Sequence, residues 1–514
     1  MSTVAAAPVS PQRGVASLVG VLAVAAAVAV GQLVAALVSP MSAPLVAVAD
    51  AVVRLAPPWL VELGKSLGPE TDKLVLQVGV ALAVVVLGAL AGLLARPDVR
   101  RGVAVIAVLG LVGGLAVMSS PAFAPLDLLA PAAALVAGVV VFRRLHGTAA
   151  HGGEPDTSRR SLLIGASAAV GMLALVAGGV TALVGRGVGG SRGDVSARLS
   201  GARLAERAPS VPAGAAFPEL GTPTFLTRNA DFYRIDTALR TPTLAADGWS
   251  LRIHGMVERE TTLTFADLMA RPLVERAVTL ACVSNEVGGD LISTANFVGV
   301  DLRALLLEAG VRQDAEQLFT TSVDGWTCGT PVDVVMEEDR GAMLAVGMNG
   351  EALPPEHGFP VRMVVPGLYG FVSATKWITD MEVTTFDRQQ AYWLQRGWAQ
   401  EAPIKTQSRI DAPRDLATVA AGRVVAAGIA WAQHVGVDRV EVRVDGGPWQ
   451  QAVLADDVSR DTWRMWRAEM DLGPGTHEIQ SRATDRAGRT QTETPAPPAP
   501  DGATGWHTIT VTAT

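Results

Sequence analysis

The chain has 514 residues, of which 49% are hydrophobic and 18% charged, and its formal net charge is −7. That length is too great for one hydrophobic core, so two or three domains are expected. The acidic balance, with no Lys/Arg cluster interleaved with aromatics, gives no reason to expect a nucleic-acid partner. Two cysteines exclude a disulfide framework and leave one bridge, or one functional thiol and one bystander.

Apolar character is concentrated in residues 1–184, which are rich in Ala, Val, Leu and Gly. Five segments there, residues 15–38, 74–95, 103–117, 128–142 and 162–184, have the apolar character of bilayer spans, the third and fourth being short. The first is too long for a plain signal peptide. The loops Arg96-Pro97-Asp98-Val99-Arg100-Arg101 and Arg143-Arg144 to Arg159-Arg160 are basic, whereas Ser119-Ser120-Pro121-Ala122-Phe123-Ala124-Pro125 carries no base. The positive-inside rule therefore places the basic loops and the N-terminus in the cytoplasm and everything after residue 184 outside.

Ser158-Arg159-Arg160-Ser161-Leu162-Leu163 has two readings: further positive-inside arginines, or an internal twin-arginine export signal. The second means that the following domain crosses already folded, as an inserted cofactor requires. The seven histidines are His146, His151, His254, His357, His434, His477 and His507, none inside the five segments as bounded. A haem held by paired intramembrane histidines is not expected, and the confident spans lack the ionisable groups of a transporter. The membrane half reads as an anchor without its own redox centre.

Residues 185–212, rich in Gly, Ser, Arg and Ala without clear periodicity, read as an exposed linker. Globular sequence begins near Phe217, and Pro223 biases Thr222 towards an extended conformation. Alternation predicts a strand at 250–255. Thr264, with Asp267 three residues on, predicts a capped helix start. Residues 277–282 read as a strand ending in a glycine-bearing loop, Cys282-Val283-Ser284-Asn285-Glu286-Val287-Gly288-Gly289-Asp290. Asp301 caps a helix over 302–309, ended by Gly310. Strands follow at 317–322, 361–365 and 381–384. Such interleaving is α+β rather than a regular βαβ series. A thiolate on the loop of Cys282 has chemistry open to it that a core cysteine lacks. On composition alone Cys282 also reads as an inert buried thiol, or as one half of a bridge to Cys328.

Several separate segments, in order, resemble the sulfite oxidase family of molybdopterin enzymes. Cys282-Val283-Ser284-Asn285 is similar to its Cys-x-Gly-Asn loop, and His357-Gly358-Phe359-Pro360-Val361-Arg362-Met363-Val364-Val365-Pro366-Gly367 to its pterin-binding segment. Ala374-Thr375-Lys376-Trp377 resembles its Val-Lys-Trp element, Arg228-Asn229 an upstream Arg-Asn pair, and Ser322-Val323-Asp324-Gly325 an Asp-containing loop. The resemblance runs from about Phe225 to the C-terminus. It implies a molybdenum-molybdopterin cofactor, with Cys282 as metal ligand and catalytic residue. It further implies cofactor binding by Arg228, Asn229, Cys282, Asp324, His357, Arg362, Ala374, Thr375 and Lys376. Cations and fork-shaped donors suit the cofactor's phosphate and pterin edges. Trp326 stands where that family has an active-site tyrosine and is the second expected catalytic residue. Glu286-Val287 replace two arginines of the sulfite oxidases, and a carboxylate there repels an oxyanion. A neutral or cationic substrate is accommodated more easily, a sulfoxide reduction included.

Towards the C-terminus, Val440, Val442 and Val444 alternate with polar residues before the turn Gly446-Gly447. His477 to Ala483 alternate before the turn Asp485-Arg486-Ala487-Gly488, and residues 505–511 read as the last strand. The pattern fits an immunoglobulin-like sandwich. Gly428-Ile429-Ala430-Trp431, Val444-Asp445-Gly446-Gly447 and Trp463-Arg464-Met465-Trp466 resemble the dimerisation domain of the same family, and a homodimer is implied by that resemblance alone.

The expected architecture is an all-α transmembrane anchor of five spans (1–184), a linker (185–212), an α+β sulfite-oxidase-like molybdopterin domain (213–405) and an immunoglobulin-like β-sandwich (406–514). The expected function is oxygen-atom transfer at a molybdenum centre on the extracytoplasmic side of a bacterial cell membrane. It acts on a small molecule, a sulfur compound or sulfoxide being one class, and a separate electron carrier is its partner. Neither a Cys-x-x-Cys-His haem motif nor an iron-sulfur cysteine set occurs in the sequence. The rival readings are a non-catalytic extracytoplasmic binding module on a membrane anchor and a disulfide-stabilised ectodomain.

Overall fold

In the computed structural model the described residues are 11–57, 60, 64, 71–120, 123–151 and 157–514. They form two compact units, Met1–Gly189 with Thr237–Thr243, and Gly190–Asp236 with Leu244–Thr514.

The first unit is helical. Four of its helices, Arg13–Val38, Thr71–Leu94, Val99–Met118 and the segment Pro125–Ala150, are long and apolar enough to cross a membrane. Small residues let the first two approach at backbone distance. A methyl at Gly20 would stand 1.9 Å from the carbonyl oxygen of Gly88, and one at Gly92 would stand 1.8 Å from that of Ala16. Such small-residue contacts suit helices packed in lipid, where backbone proximity replaces hydrophobic burial. Leu74, Val78, Leu82 and Val86 of Thr71–Leu94 point outward, which suits apolar surroundings.

The third and fourth expected segments are extended here. The helix expected to stop at residue 142 runs Leu129–His151, past Arg143-Arg144, and so contains His146, contrary to the expectation of histidine-free spans. No Gly or Pro interrupts it there before Gly147, and the His146 ring stacks on Phe142 at 6.0 Å. A short helix, Pro44–Leu55, was not anticipated. The fifth expected segment, 162–184, lies on the helix Thr157–Ser200. Many of its side chains, with those of Arg159 and Arg160, lie outside the described residues.

Residues 185–212 differ from the expected linker. Helix continues to Ser200, and Leu204–Glu206 pairs in parallel with Leu273–Ala281. Tertiary bonds override weak local propensity here. Arg192 Nε donates to the carbonyl of Leu353 (3.0 Å), Ser196 Oγ accepts from Ala352 N (2.9 Å) and Ser191 Oγ from Ala246 N (2.9 Å).

The second unit holds four sheets. The first runs Leu204–Glu206, Leu273–Ala281, Ile292–Asp301, Met343–Met348, Arg362–Val364, with Glu351–Ala352 also on Met343–Met348. Leu273–Ala281 and Ile292–Asp301 form an antiparallel hairpin closing at Ala281 opposite Ile292, so residues 282–291 are its tip. The second sheet runs Thr261–Thr264, Ser250–Gly255, Ile378–Thr384, Gln317–Ser322, Thr327–Pro331. Alternation in Ser250–Gly255 buries Leu251 and Ile253 while their neighbours face outward. The capping box forms as read, Thr264 Oγ1 accepting from Asp267 N (3.2 Å) and Asp267 Oδ2 from Thr264 N (2.9 Å). Asp301 caps Leu302–Ala309, which ends at Gly310 with φ +72°.

The last two sheets, of four and five strands, cover Gln407–Ala412 to His507–Ala513 and share one core. Val440 and Val442 from one sheet meet Ala426, Trp466 and Ala468 from the other there. Two sheets sharing an inner core make a sandwich.

Candidate active site

The cysteine loop is built by its own turns. Cys282 leaves the ladder with its N–H on the carbonyl of Leu291 (2.9 Å), and its carbonyl accepts from Asn285 N (3.1 Å). Gly289 N donates to the carbonyl of Glu286 (2.9 Å), and Asn285 Oδ1 accepts from Leu291 N (2.8 Å). Gly288 has φ +79°, and a methyl at Gly289 would lie 2.6 Å from Asn285 Oδ1, so both glycines are required. Glu286 is exposed at the tip.

Four other segments converge near this loop. Residues 225–236 lie along Ile292–Asp301, with Thr227 N on the carbonyl of Thr294 (2.8 Å) and Tyr233 N on Ser293 Oγ (3.1 Å). His357 closes a 3-10 turn, Arg362 opens a strand, and Lys376 precedes Ile378–Thr384. Asp324 stands in the turn between Gln317–Ser322 and Thr327–Pro331.

These side chains are tied into one network. His357 Nε2 meets the Asn229 carbonyl at 3.1 Å, and Arg362 Nη1 donates to the His357 carbonyl at 3.2 Å. Lys376 Nζ donates to Asp236 Oδ2 (2.7 Å) and to the Glu356 carbonyl (3.1 Å), and lies 4.7 Å over the Trp377 ring. Arg234 shares Asp236 Oδ2 at 2.9 Å. Asn229 is held through its amide by Glu351 Oε1 (2.6 Å) and by Asn349 Nδ2 (2.8 Å).

Burial shapes the electrostatics. It pulls Arg362 down to about 10 and Lys376 down to about 8, the latter against the pull of Asp236. Burial, then the cations Arg362 and Lys376, pulls His357 down to about 4, so the ring is neutral at pH 7. Burial holds the Asp324 carboxyl above its ordinary range. Tyr233 is pushed up mainly by burial, Cys282 adding to the rise and Arg362 opposing it. Tyr369 is pushed up mainly by burial, with Cys282 a lesser cause.

Bonds thus join Asn229, His357 and Arg362, with Lys376 held on the Glu356 carbonyl next to His357, while Asp324 is linked to Lys376, and Cys282 to Tyr233, electrostatically. Arg228 is not joined to them by a bond, its side chain being 80% exposed and paired with Asp231 at 2.6 Å. Trp326 is half-buried, and its main-chain N–H donates to Asp324 Oδ1 (3.3 Å) within the turn. Thr375 is spent on Thr320, hydroxyl to hydroxyl at 2.6 Å, while Ala374 donates its N–H to the Gly370 carbonyl (3.1 Å). Neither Cys282 nor Cys328 is in a disulfide, so the bridge between them does not form. Sequence reasoning missed Tyr233, Arg234 and Asp236. Their signal was position alone, within eight residues of Arg228-Asn229 in an extended segment.

The oxidoreductase molybdopterin-binding domain family matches residues 238–393. Mitochondrial sulfite oxidase of Macaca fascicularis is 32% identical over 331 residues, 54% of this chain and 60% of that protein. The oxidoreductase YuiH of Bacillus subtilis (strain 168) is 33% identical over 150 residues, 29% of this chain and 72% of that protein. The chain thus spans 60% of the length of the mitochondrial sulfite oxidases it matches. Among solved structures, the sulfane dehydrogenase SoxCD of Paracoccus pantotrophus is similar at 23% identity and a TM-score of 0.49, over 58% of this chain and 85% of that chain. The chain belongs to the sulfite oxidase family of molybdopterin-dependent oxidoreductases, and molybdenum on molybdopterin is the cofactor this membership implies.

Proposed function

We propose that the chain is a membrane-anchored oxidoreductase that transfers an oxygen atom at a molybdenum centre held by Cys282. The observation that carries this reading is Arg362. It is a buried guanidinium whose Nε has no partner among the described residues, and no carboxylate is paired with it there. A buried cation without an anion is costly, and an anionic cofactor edge supplies the missing charge. The Lys376 side chain is 11% exposed and Asp324 and Tyr233 are half-buried, and desolvation dominates the ionisation of all three. That combination fits the lining of a deep recess.

Within it Cys282 would bind the metal as thiolate. Arg362 and Lys376 would hold phosphate or pterin oxygens, and Arg228 would add an outer cation. Asn229, Asp324, Ala374 and Thr375 would border the pterin through polar or backbone groups, and neutral His357 would offer Nδ1 while Nε2 faces the Asn229 carbonyl. When bound, the cofactor supplies two-electron oxygen-atom transfer between water and substrate. Tyr233 keeps its proton and can donate a hydrogen bond beside Cys282. Trp326 would border the substrate from the Asp324 side. Exposed Glu286 disfavours an oxyanion, so a neutral or cationic sulfur compound or sulfoxide is the favoured substrate class.

Residues 1–184 would be the anchor, 213–405 the cofactor domain and 406–514 an immunoglobulin-like module of the dimerising type. The catalytic part would stand outside the cytoplasmic membrane, exchanging electrons with a separate carrier. Metal analysis tests the enzyme reading: purified protein is expected to hold near-stoichiometric molybdenum and Cys282→Ser to lose it. Full metal retention by that variant would overturn the assignment. Screening sulfur compounds with an artificial electron carrier would then give the substrate. For the export route, Arg159→Lys with Arg160→Lys is expected to strand the catalytic part inside, as read by protease protection. Normal export would refute it.

A further inference from the structure

We propose that the C-terminal sheets set the conformation of the Cys282 loop through two positioning residues, Arg409 and His507; this rests on reading Cys282 as the metal ligand. The loop's own bonds account for Asn285, Gly289 N and Leu291 N and leave the Gly289 carbonyl open within the loop. Arg409 Nη1 fills it, donating at 2.7 Å from Gln407–Ala412. That guanidinium is fixed from behind by Asp411 Oδ1, which accepts from Nε at 2.7 Å, and its side chain is only 10% exposed. A buried charged donor on a carbonyl is among the stronger hydrogen bonds.

His507 holds the neighbouring residue by shape. A methyl at Gly288 would stand 2.3 Å from both Cδ2 and Nε2 of the ring, so ring edge and loop backbone are in close contact. Nδ1 accepts from Ile410 N at 2.9 Å, which places the proton of the neutral ring on Nε2, the edge turned to Gly288. Arg409 and His507 lie on different strands and are linked through this bond to Ile410, the residue after Arg409. They act as one clamp on Gly288-Gly289.

The root of the loop is gripped as well. Thr279, three residues before Cys282, donates its N–H to the Asp461 carbonyl (2.9 Å) and accepts at Oγ1 from Trp463 N (2.8 Å). Its carbonyl accepts from Gln433 Nε2 (3.1 Å). Cysteine strand and loop tip are therefore both bonded to residues of the C-terminal sheets or their connections. A glycine-bearing tip left to itself would sample many conformations. The clamp selects one and with it the direction of the Cys282 side chain.

The test is Arg409→Met in the full chain, studied free of cofactor so that it does not depend on metal. Iodoacetamide alkylation, located by mass spectrometry, is expected to rise on the order of tenfold at Cys282, the factor for one lost charge-assisted bond. Cys328 should be unchanged, because a general loss of stability would expose both thiols. Amide exchange over residues 283–290 should rise in parallel, and Arg409→Lys should restore part of the protection. Unchanged alkylation and exchange in a folded Arg409→Met would overturn the proposal, as would equal increases at both cysteines. If Arg409→Met does not fold, His507→Gln carries the test. Its expected result is faster exchange at Gly288, and parent-like exchange sinks the clamp. Failure of the molybdenum reading would show separately, as metal retained by Cys282→Ser.

Discussion

The two cysteines sit in contrasting places although both are buried. Cys328 lies within a ladder, opposite Thr320 in the pairing of Gln317–Ser322 with Thr327–Pro331. Its sulfur is 3.7 Å from Thr330 Oγ1, and burial pushes its thiol above the ordinary value. Cys282 stands one residue past the last ladder pair, in a loop of turns. Burial alone therefore does not make a cysteine structural. What separates the two is whether the backbone is locked in a ladder.

The most direct way to break this comparison is to label both thiols in cofactor-free protein. Cys282 is expected to react with iodoacetamide roughly a hundredfold faster than Cys328, because loops open locally more readily than central ladders. Comparable rates would erase the distinction. The cations extend the contrast to the recess. Arg362→Met should lower molybdenum content about tenfold or more, since it removes a buried charged donor. Arg228→Met should change it by less than about twofold, because solvent screens an exposed, paired guanidinium. A larger effect from Arg228 would mean that the cofactor reaches farther out than the buried network.

A pH experiment sharpens the same boundary. His357 is pulled from its ordinary 6.5 to about 4 in the folded protein, and His507 likewise to about 4. Between those values the unfolded chain binds protons that the folded chain refuses, so stability is lost as pH falls from about 6.5 towards 4. The loss should reach a few kcal/mol at the acid end. His357→Gln, which keeps an amide donor for the Asn229 carbonyl, should remove about half of it. Urea unfolding of cofactor-free protein near pH 7 and in mild acid measures this, and identical slopes for parent and variant would contradict a buried neutral His357.

What was legible in the sequence was local. Thr264 with Asp267, Asp301 with Ala304, and Gly310 are read from a few adjacent residues, and each does in the structure what its side chain or backbone freedom predicts. The cysteine loop, the pterin-type segment and Asp324 were legible as linear motifs. Contacts made across long sequence distances were not. Residues 185–200 are helical, with tertiary bonds to the main-chain atoms of Ala246, Ala352 and Leu353. Tyr233 and Asp236 come to this network only because their segment runs along Ile292–Asp301. His507 meets Gly288 across more than two hundred residues. Helix length in the first unit was underestimated where charge follows an apolar run, because Arg143 and Arg144 did not end the helix Leu129–His151.

The smallest expected effect comes from Cys328 itself. Cys328→Ala removes one buried sulfur and leaves a small cavity, at a cost of about 1–2 kcal/mol. Two of the hydroxyls around it keep partners, since Thr320 Oγ1 and Thr375 Oγ1 remain 2.6 Å apart and the Cys328 carbonyl still accepts from Thr320 Oγ1 (3.4 Å), while Thr330 Oγ1 loses the sulfur at 3.7 Å. Cys328→Val refills much of the volume and should cost less than about 1.5 kcal/mol. Both variants should keep the parent's molybdenum content, because the thiol sits in a ladder and is not the expected metal ligand. Urea unfolding gives the first quantity and metal analysis the second. Loss of metal from Cys328→Val at parent-like stability would place that sulfur in the site and remove the contrast between the two cysteines.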